Sequence, residues 1–126
     1  MNTPEDCLYN EGHLWCLREN DTTVLIGISD NAQSNLGEIS FIELPGNGTI
    51  VSQGKSLGVI ESIKVVNELL SPVSGTIIEC NDSLTDDPTT VNNEPYADGW
   101  MVRIRIDPEE QLETLMDAAE YLEYIS

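Results

Sequence analysis

The chain has 126 residues, 40% of them hydrophobic and 22% charged, as expected for a globular protein with one buried core. Twenty-three acidic residues against five basic ones give a net charge of −18 and a pI near 4.1. Such a surface repels the phosphates of nucleic acids and anionic lipids and favours basic protein partners. We expect one domain over residues 1–126, a monomer, with no nucleic-acid or membrane partner.

Cysteine content and the first residues bear on the compartment. Cys7, Cys16 and Cys80 are an odd number without CxxC spacing, which argues against a disulfide framework and a zinc site and fits a reducing environment. The first residues contain neither a basic side chain nor an apolar run, so they predict neither a signal peptide nor an arginine-rich transit peptide. We expect a cytoplasmic protein, or an organellar one whose presequence has been removed.

The first third of the chain predicts strands and one short helix. Residues 13–18 and 22–28 are rich in β-branched and aromatic side chains and flank a polar turn, the pattern of a hairpin. Asp30 is expected to cap a short helix over residues 30–37, which ends at Gly37. Residues 38–44 predict the next strand.

An internal repeat occupies the middle of the chain. Residues 45–57 and 72–84 are offset by 27 residues and are identical at six of thirteen positions. Each copy predicts a turn, a strand and a second turn, at Gly54 in the first copy and at Asn81 in the second. Two further glycines are expected to form turns: Gly48 and Gly75.

Lys64 lies midway between the two copies. Strand-forming residues flank it, so residues 61–64 predict a tight turn, although they lack the Gly or Pro that free hairpins prefer. A duplicated unit over residues 45–84 that presents one lysine at a hairpin tip is the layout of a swinging-arm carrier.

The last third predicts a loop, a strand and a helix. Residues 82–99 are rich in Asp, Asn and Pro and predict a surface loop, whereas residues 100–106 alternate apolar and charged side chains like a strand. A C-terminal helix is expected over residues 107–125, with Asp107 as its cap and Pro108 at its first position. Its apolar stripe would pack on the sheet through Leu112, Leu115, Met116, Ala119 and Leu122. Residues 107–126 hold seven acids and no base, which fits a solvated face better than a docking face.

Catalytic residues cannot be assembled from this sequence. His13 is the single histidine, and we expect it to pack or to lie at the surface rather than to bind a ligand. Trp15 and Trp100 are expected in the core or in a cleft wall. Neither a phosphate-binding glycine motif nor a Ser/His/Asp set is present, so we expect a protein that is not an enzyme.

Residues 61–66, Glu-Ser-Ile-Lys-Val-Val, resemble the lipoyl-lysine hairpin of the glycine cleavage system H-protein family. Similar blocks follow one another along almost the whole chain: residues 13–15, 24–30, 32–33, 36–37, 43–45, 58–62, 71–75, 96–100 and 112–121. Biotin carriers place Met beside their lysine, and lipoyl domains of 2-oxoacid dehydrogenases belong to larger chains with Pro/Ala linkers, so both are poorer matches. The resemblance implies a mainly β, lipoyl/biotinyl-type barrel-sandwich hybrid, a flattened β-barrel or hammerhead, with short flanking helices and a C-terminal helix.

The resemblance also implies a cofactor and partners. Lipoic acid would be attached to Lys64 by an amide, as N6-lipoyllysine, by a lipoate-attaching enzyme that could read Glu61 and Ser62, unless these two only shape the turn. The arm would take the aminomethyl group of glycine from the pyridoxal-phosphate-dependent glycine decarboxylase to the tetrahydrofolate-dependent aminomethyltransferase. Dihydrolipoamide dehydrogenase would then reoxidise it.

One position departs from the family pattern. Leu14 stands between His13 and Trp15 where the family has a glutamate, whereas the acidic position after the lysine is kept as Glu68. Because one anionic contact is missing, we expect a weaker hold on a cationic aminomethyl group. Two alternatives therefore stay open. The chain could be an H-like lipoyl carrier that serves as a lipoate reservoir, a relay or a redox carrier, or an acidic binding protein that docks through its charged helix.

Overall fold

The computed structural model describes residues 3–106 and 109–126, without the side chains of residues 109 and 110. The strands are β1 (Leu8–Tyr9), β2 (Leu14–Arg18), β3 (Thr23–Ile28), β4 (Ile39–Glu43), β5 (Ile50–Val51), β6 (Ser56–Ser62), β7 (Val66–Leu70), β8 (Gly75–Cys80) and β9 (Val102–Ile106). The helices are α1 (Asp30–Leu36), α2 (Ser83–Asp86), α3 (Thr90–Asn93), a 3-10 helix (Glu109–Thr114) and α4 (Ala118–Ile125). None of these helices in the described residues is long and apolar enough to cross a membrane.

The strands form two antiparallel sheets, one in the order β1-β2-β3-β9-β8-β5 and one in the order β4-β6-β7. One cluster of buried apolar side chains has members from both sheets, such as Ile26 and Ile104 from the larger and Ile60 and Leu69 from the smaller. The sheets therefore pack on each other around a shared core. The predicted mainly β class with flanking helices is confirmed, as an open arrangement of two sheets and not a closed barrel.

The two repeat copies meet in the larger sheet, where β5 pairs with β8. Ile50 and Ile77 hold equivalent positions in the repeat, yet Ile77 is fully buried and Ile50 is 80% exposed. The difference follows from the register, because Ile50 pairs with Thr76, which pairs with the exposed Arg105, whereas Ile77 pairs with the buried Ile104 on the opposite face of the sheet.

Of the four residues predicted to form turns, Gly48 and Gly54 have the backbone of turn glycines, whereas Gly75 does not. Gly48 and Gly54 adopt φ of +89° and +83°, as turn glycines do. The expectation for Gly75 is wrong: it begins β8, where any Cβ would collide with the carbonyl oxygen of Arg105 in β9. Asn81 follows β8 and donates hydrogen bonds from its side-chain amide to two backbone carbonyl groups of the later loop.

Helix α1 confirms the predicted short helix but not its cap. Ser29, rather than Asp30, is the cap, since its hydroxyl accepts a hydrogen bond from the amide of Ala32 at 3.1 Å. Asp30 is the first helical residue and accepts from the side chain of Gln33 at 2.7 Å. Gly37 ends the helix with φ of +82°, as predicted.

Residues 82–99 are not the plain loop that the sequence predicted. They contain α2 and α3, and each of these single turns buries one apolar side chain. Leu84 and Val91 are 1% and 0% exposed. A helix of one turn with a single buried side chain gives no periodic apolar pattern in the sequence, so the composition of residues 82–99 indicated a loop.

The predicted continuous C-terminal helix over residues 107–125 is wrong, and its predicted start at Asp107 and Pro108 lies outside the described residues. The 3-10 helix ends at Thr114, and α4 begins again after Asp117, whose carboxylate and that of Glu120 form a capping box. Between these two helices, Met116 forms two backbone hydrogen bonds of 2.8 Å with Tyr9, which belongs to β1 of the larger sheet. Such pairing requires extended backbone at Met116, so the helix cannot continue through it. The restart changes which side chains are buried: Tyr121 is 0% exposed and the predicted Leu122 is 49% exposed.

Candidate functional site

Strands β6 and β7 form the hairpin that carries Lys64. Glu61 pairs with Val66, and the amide of Ser62 donates to the carbonyl oxygen of Val65 at 2.9 Å. The Ser62 hydroxyl accepts from the amide of Lys64 at 3.3 Å. The turn thus lies one residue later than predicted, and the serine hydroxyl supports a reversal that contains neither Gly nor Pro. These contacts favour the turn-shaping interpretation of Ser62.

The hairpin tip projects into solvent. Lys64 is exposed, and so are its apolar neighbours: Ile63 is 84% and Val66 59% exposed. Lys64 is therefore accessible at the tip of the hairpin, as the sequence predicted.

A cleft of about 300 Å³ lies beside the hairpin, between α1, β7 and the start of β2. Its lining includes four apolar side chains, from Leu14, Ile28, Leu36 and Ile60. Four polar residues also line it: His13, Asn35, Asn67 and Glu68. Glu68 is the one carboxylate among the described residues that line this space. The cleft can therefore take an aliphatic chain along its apolar wall and a cationic group near Glu68.

His13 belongs to a hydrogen-bonded row of three side chains. Its Nδ1 lies 2.8 Å from the Tyr121 hydroxyl, which lies 2.7 Å from the Ser29 hydroxyl. The Ser29 oxygen also accepts a hydrogen bond from the amide of Ala32. Burial lowers the pKa of His13, which favours the neutral ring.

The backbone at His13 is also unusual. Its φ of +68° is the one positive value at a non-glycine residue in the described parts of the chain. The carbonyl group of His13 accepts from the amide of Ser29 at 2.9 Å, and the ring packs against Tyr121 and Tyr124. The expectation that His13 packs is confirmed, and the structure adds that it lines the cleft.

Three residues of this region were missed by the sequence analysis: Asn35, Asn67 and Tyr121. Asn67 pairs with the buried Ile60 in the adjacent strand, so strand alternation counted from Lys64 could have placed it. Tyr121 was missed because the apolar face of the helix was assigned from a predicted first residue at 108, ten residues before the observed start of α4 at Ala118.

Neither tryptophan lines the cleft. Trp15 is fully buried, as predicted for a core residue, and its indole N–H donates to the carbonyl oxygen of Pro95 at 2.9 Å. Trp100 is half-buried, with the guanidinium carbon of Arg103 5.2 Å from its ring centre.

The three cysteines carry free thiols. Cys7 and Cys16 are buried, and burial raises the pKa of each to about 12, which keeps both protonated. Cys80 is partly buried, and its Sγ donates to the carbonyl oxygen of Pro45. Within residues 3–106 and 109–126, no three His, Cys, Asp or Glu side chains come together as a metal site.

A mainly β scaffold of two sheets that presents one exposed lysine at a hairpin tip, beside a half-apolar cleft, defines a carrier of the lipoyl/biotinyl class. The family model "Glycine cleavage H-protein" matches residues 7–126. The chain belongs to this family, whose members are lipoyl carrier subunits and not catalysts.

Curated relatives and a solved structure agree with this assignment. A glycine cleavage system H protein of Anaeromyxobacter sp. (strain K) is 45% identical over 125 residues, which cover 99% of this chain and 97% of that protein. One of Chromohalobacter salexigens is 46% identical over 118 residues, covering 94% and 90%. The crystal structure of such a protein from Mycobacterium marinum superposes with a TM-score of 0.87 at 35% identity, covering 97% and 98% of the two chains.

Proposed function

We propose that Lys64 carries lipoic acid in amide linkage, as N6-lipoyllysine, and that the chain shuttles the aminomethyl group of glycine from the decarboxylase to the aminomethyltransferase. The observation that carries the proposal is the exposed position of Lys64 at the tip of the β6–β7 hairpin in a chain of this family. When bound, the lipoyl group supplies a disulfide that opens to accept the aminomethyl unit. Attachment removes the lysine charge and makes the net charge of −18 one unit more negative.

The residues of the cleft fit such an arm. Ile28, Leu36 and Ile60 offer an apolar wall for an aliphatic chain, and Glu68 attracts a cationic end group. A protonated imidazole in the same wall would repel that cation. Burial lowers the pKa of His13 and so favours the neutral ring, which leaves the negative charge of Glu68 in the cleft.

The proposed partners are glycine decarboxylase, the aminomethyltransferase, dihydrolipoamide dehydrogenase and a lipoate-attaching enzyme, met by a monomer in the cytoplasm. The strongly acidic surface favours partner faces that carry basic residues and accelerates association at low ionic strength. Glu113, Glu120 and Glu123 in the C-terminal region are exposed and contribute to this field.

Leu14 favours a second candidate function. Its side chain is 1% exposed and forms part of the cleft wall, at the position where the family pattern has a glutamate. Among the described residues that line the cleft, Glu68 is then the one carboxylate that can attract a cationic group, whereas the family pattern would provide two. A chain with this cleft would hold an aminomethyl group less well and could serve as a lipoate reservoir or relay.

Intact-mass spectrometry tests the attachment. Protein produced in a lipoate-competent host should gain one lipoyl group, and Lys64→Arg should abolish the gain. Lys55→Arg is a matched control, because Lys55 is the other of the two lysines in the chain and should not affect loading. Unmodified wild-type protein under these conditions would refute the proposed function.

Exchange of labelled bicarbonate into glycine by a purified glycine decarboxylase separates the candidate functions. Glycine-cleavage activity predicts exchange with the lipoylated chain and none with Lys64→Arg. The reservoir function predicts little exchange, with gain on Leu14→Glu but not on Leu14→Gln, which lacks the charge. A docking function alone would survive Lys64→Arg in a binding assay.

A further inference from the structure

The smaller sheet has one face in the core and one face towards solvent. Ile42 and Ile60, which pair across β4 and β6, are 5% and 1% exposed and belong to the shared core. In the adjacent row of the sheet, Phe41 pairs with Glu61, and Glu61 pairs with Val66 in β7. Side chains alternate between the two faces of a strand, so these three residues form an outer row on the solvent face.

The outer row is apolar at both ends and acidic in the middle. Phe41 is 45% and Val66 59% exposed, and Glu61 between them is partly exposed. Paired side chains on neighbouring strands lie about 5 Å apart, so the two apolar groups flank the carboxylate. Ile63, two residues after Glu61 and next to Lys64, is 84% exposed. Exposed apolar surface therefore extends from the outer row to the lysine, and such continuous surface is typical of an interaction site.

The charge around the outer row indicates what can cover it. Glu38 and Glu43 at the two ends of β4 are exposed carboxylates, and the whole chain has a net charge of −18. A basic side chain neutralises Glu61, and the aliphatic stem of an arginine or lysine packs at the same time on Phe41 and Val66. An arginine also gains from lying over the phenyl ring. The complementary surface is thus a protein face that carries basic residues among apolar ones.

The order of events favours one partner for this face. The enzyme that attaches the lipoyl group acts before the arm exists, so it can select the chain only through the protein surface. It must also enclose Lys64, and Glu61 and Val66 of the outer row lie three and two residues from that lysine. The later partners receive the arm itself. The cleft proposed for the arm is on the inner side of the sheet, where Asn67 and Ile60 pair with each other and line it.

We propose that the outer row is a docking surface for the lipoate-attaching enzyme, which covers it with an apolar face that carries basic residues. Glu61 supplies the ion pair, and Phe41 and Val66 supply the apolar area. This inference rests on the proposed function and extends it, because Phe41 belongs to β4, a strand outside the hairpin that carries the lysine.

The rest of the chain provides matched controls. Ile50 in β5 of the larger sheet is 80% exposed, more than Phe41 or Val66. Threonine keeps the strand propensity of each position while it removes apolar surface, and Val66→Thr removes less of it than Ile50→Thr. A larger loss from Val66→Thr is therefore specific to the outer row. Glu123 in α4 is exposed, so Glu123→Gln is the charge control for Glu61→Gln.

The first experiment measures steady-state kinetics of lipoate attachment, with the unmodified full chain as the varied substrate and an enzyme known to load another member of the family. Phe41→Thr should raise KM about tenfold with kcat unchanged, because docking is weakened and the chemical step is not. Val66→Thr and Glu61→Gln should also raise KM, and the effect of Glu61→Gln should shrink as salt is added. Ile50→Thr and Glu123→Gln should match the wild type. Val66→Thr is nearly isosteric, so it tests the outer row even if Phe41→Thr fails to fold.

The second experiment uses the single phenylalanine of the chain, which gives one fluorine NMR signal after labelling with 4-fluorophenylalanine. Titration of the attaching enzyme into labelled Lys64→Arg protein, which cannot be loaded, should move the chemical shift of this signal.

Two results would overturn the docking surface: an unmoved signal at saturating enzyme, or equal KM for Val66→Thr and Ile50→Thr. Normal loading of Phe41→Thr combined with lost exchange at the decarboxylase would assign the outer row to that partner, and would overturn the proposal as well. A wild-type chain that gains no lipoyl group would contradict the proposed function instead, and the fluorine titration then tests the docking surface by itself.

Discussion

The hydroxyl group of Tyr121 lies 2.8 Å from Nδ1 of His13, a residue 108 positions earlier in the chain. This hydrogen bond joins the C-terminal helix to the wall of the cleft, and Ser29 at the start of α1 extends it at 2.7 Å. The imidazole of the cleft histidine is therefore positioned by two segments that are distant in the sequence.

The first prediction concerns the titration of His13, which a single NMR pH series resolves because the chain has one histidine. Burial favours the neutral ring, so its pKa should lie below the usual 6.5. The unfolded chain then binds a proton at a higher pH than the folded chain. This contribution to stability is complete above pH 6.5 and is lost as the pH falls through 6.5 towards the folded-state pKa. A midpoint at or above 6.5 would contradict it.

The second prediction is that Tyr121→Phe destabilises the fold by about 1–3 kcal/mol, because it leaves Nδ1 of His13 and the Ser29 hydroxyl without their buried partner. Urea unfolding measures the change. Tyr124→Phe serves as the control, since Tyr124 is 47% exposed and its hydroxyl donates at the surface to the carbonyl oxygen of Glu11. Equal losses in the two variants would argue against the buried network.

The third prediction is that Asn92→Ala lowers the unfolding free energy by about 1–3 kcal/mol, because three hydrogen bonds around the end of α1 are lost. Hydrogen exchange of the Ile39 amide should accelerate in the same variant. The exposed neighbour Asn93 gives a control, and Asn93→Ala should change stability by less than about 0.5 kcal/mol. An unchanged exchange rate at Ile39 would show that Asn92 does not hold this corner.

The fourth prediction concerns Arg103, which pairs with Glu19 at 2.6 Å and with Glu79, and lies over Trp100. Arg103→Met should cost about 1 kcal/mol at low salt, and less as added salt screens the pairs. Arg105 on the same strand is exposed, so Arg105→Met removes the same charge without these contacts. A loss that is independent of salt, or the same for both variants, would contradict the ion-pair explanation.

Much of the scaffold could be predicted because it is encoded by neighbouring residues. The repeat, the turn glycines Gly48 and Gly54 and the strand-forming run around Lys64 are local signals. They placed the hairpin within one residue. The cap of α1 was misplaced by one residue because Ser29 and Asp30 are adjacent and both are good capping residues.

The errors arise where contacts between distant residues override a local pattern. The helical pattern of residues 107–125 is interrupted because Met116 hydrogen-bonds to Tyr9, a partner that no periodicity reveals. Gly75 reads as a turn glycine, yet it is required by the close approach of the Arg105 backbone.

The sequence by itself determined the class of protein and predicted its carrier lysine, because a duplicated strand pattern and a tight turn place Lys64 at a hairpin tip through interactions of near neighbours. The tertiary structure alone decided what surrounds that lysine. The end of its side chain lies near Gly37, and the hydrogen bond between His13 and Tyr121 fixes the position of the imidazole in the wall of the neighbouring cleft. These contacts depend on how the sheets and helices pack, and long-range packing leaves no spacing in the sequence from which to infer them.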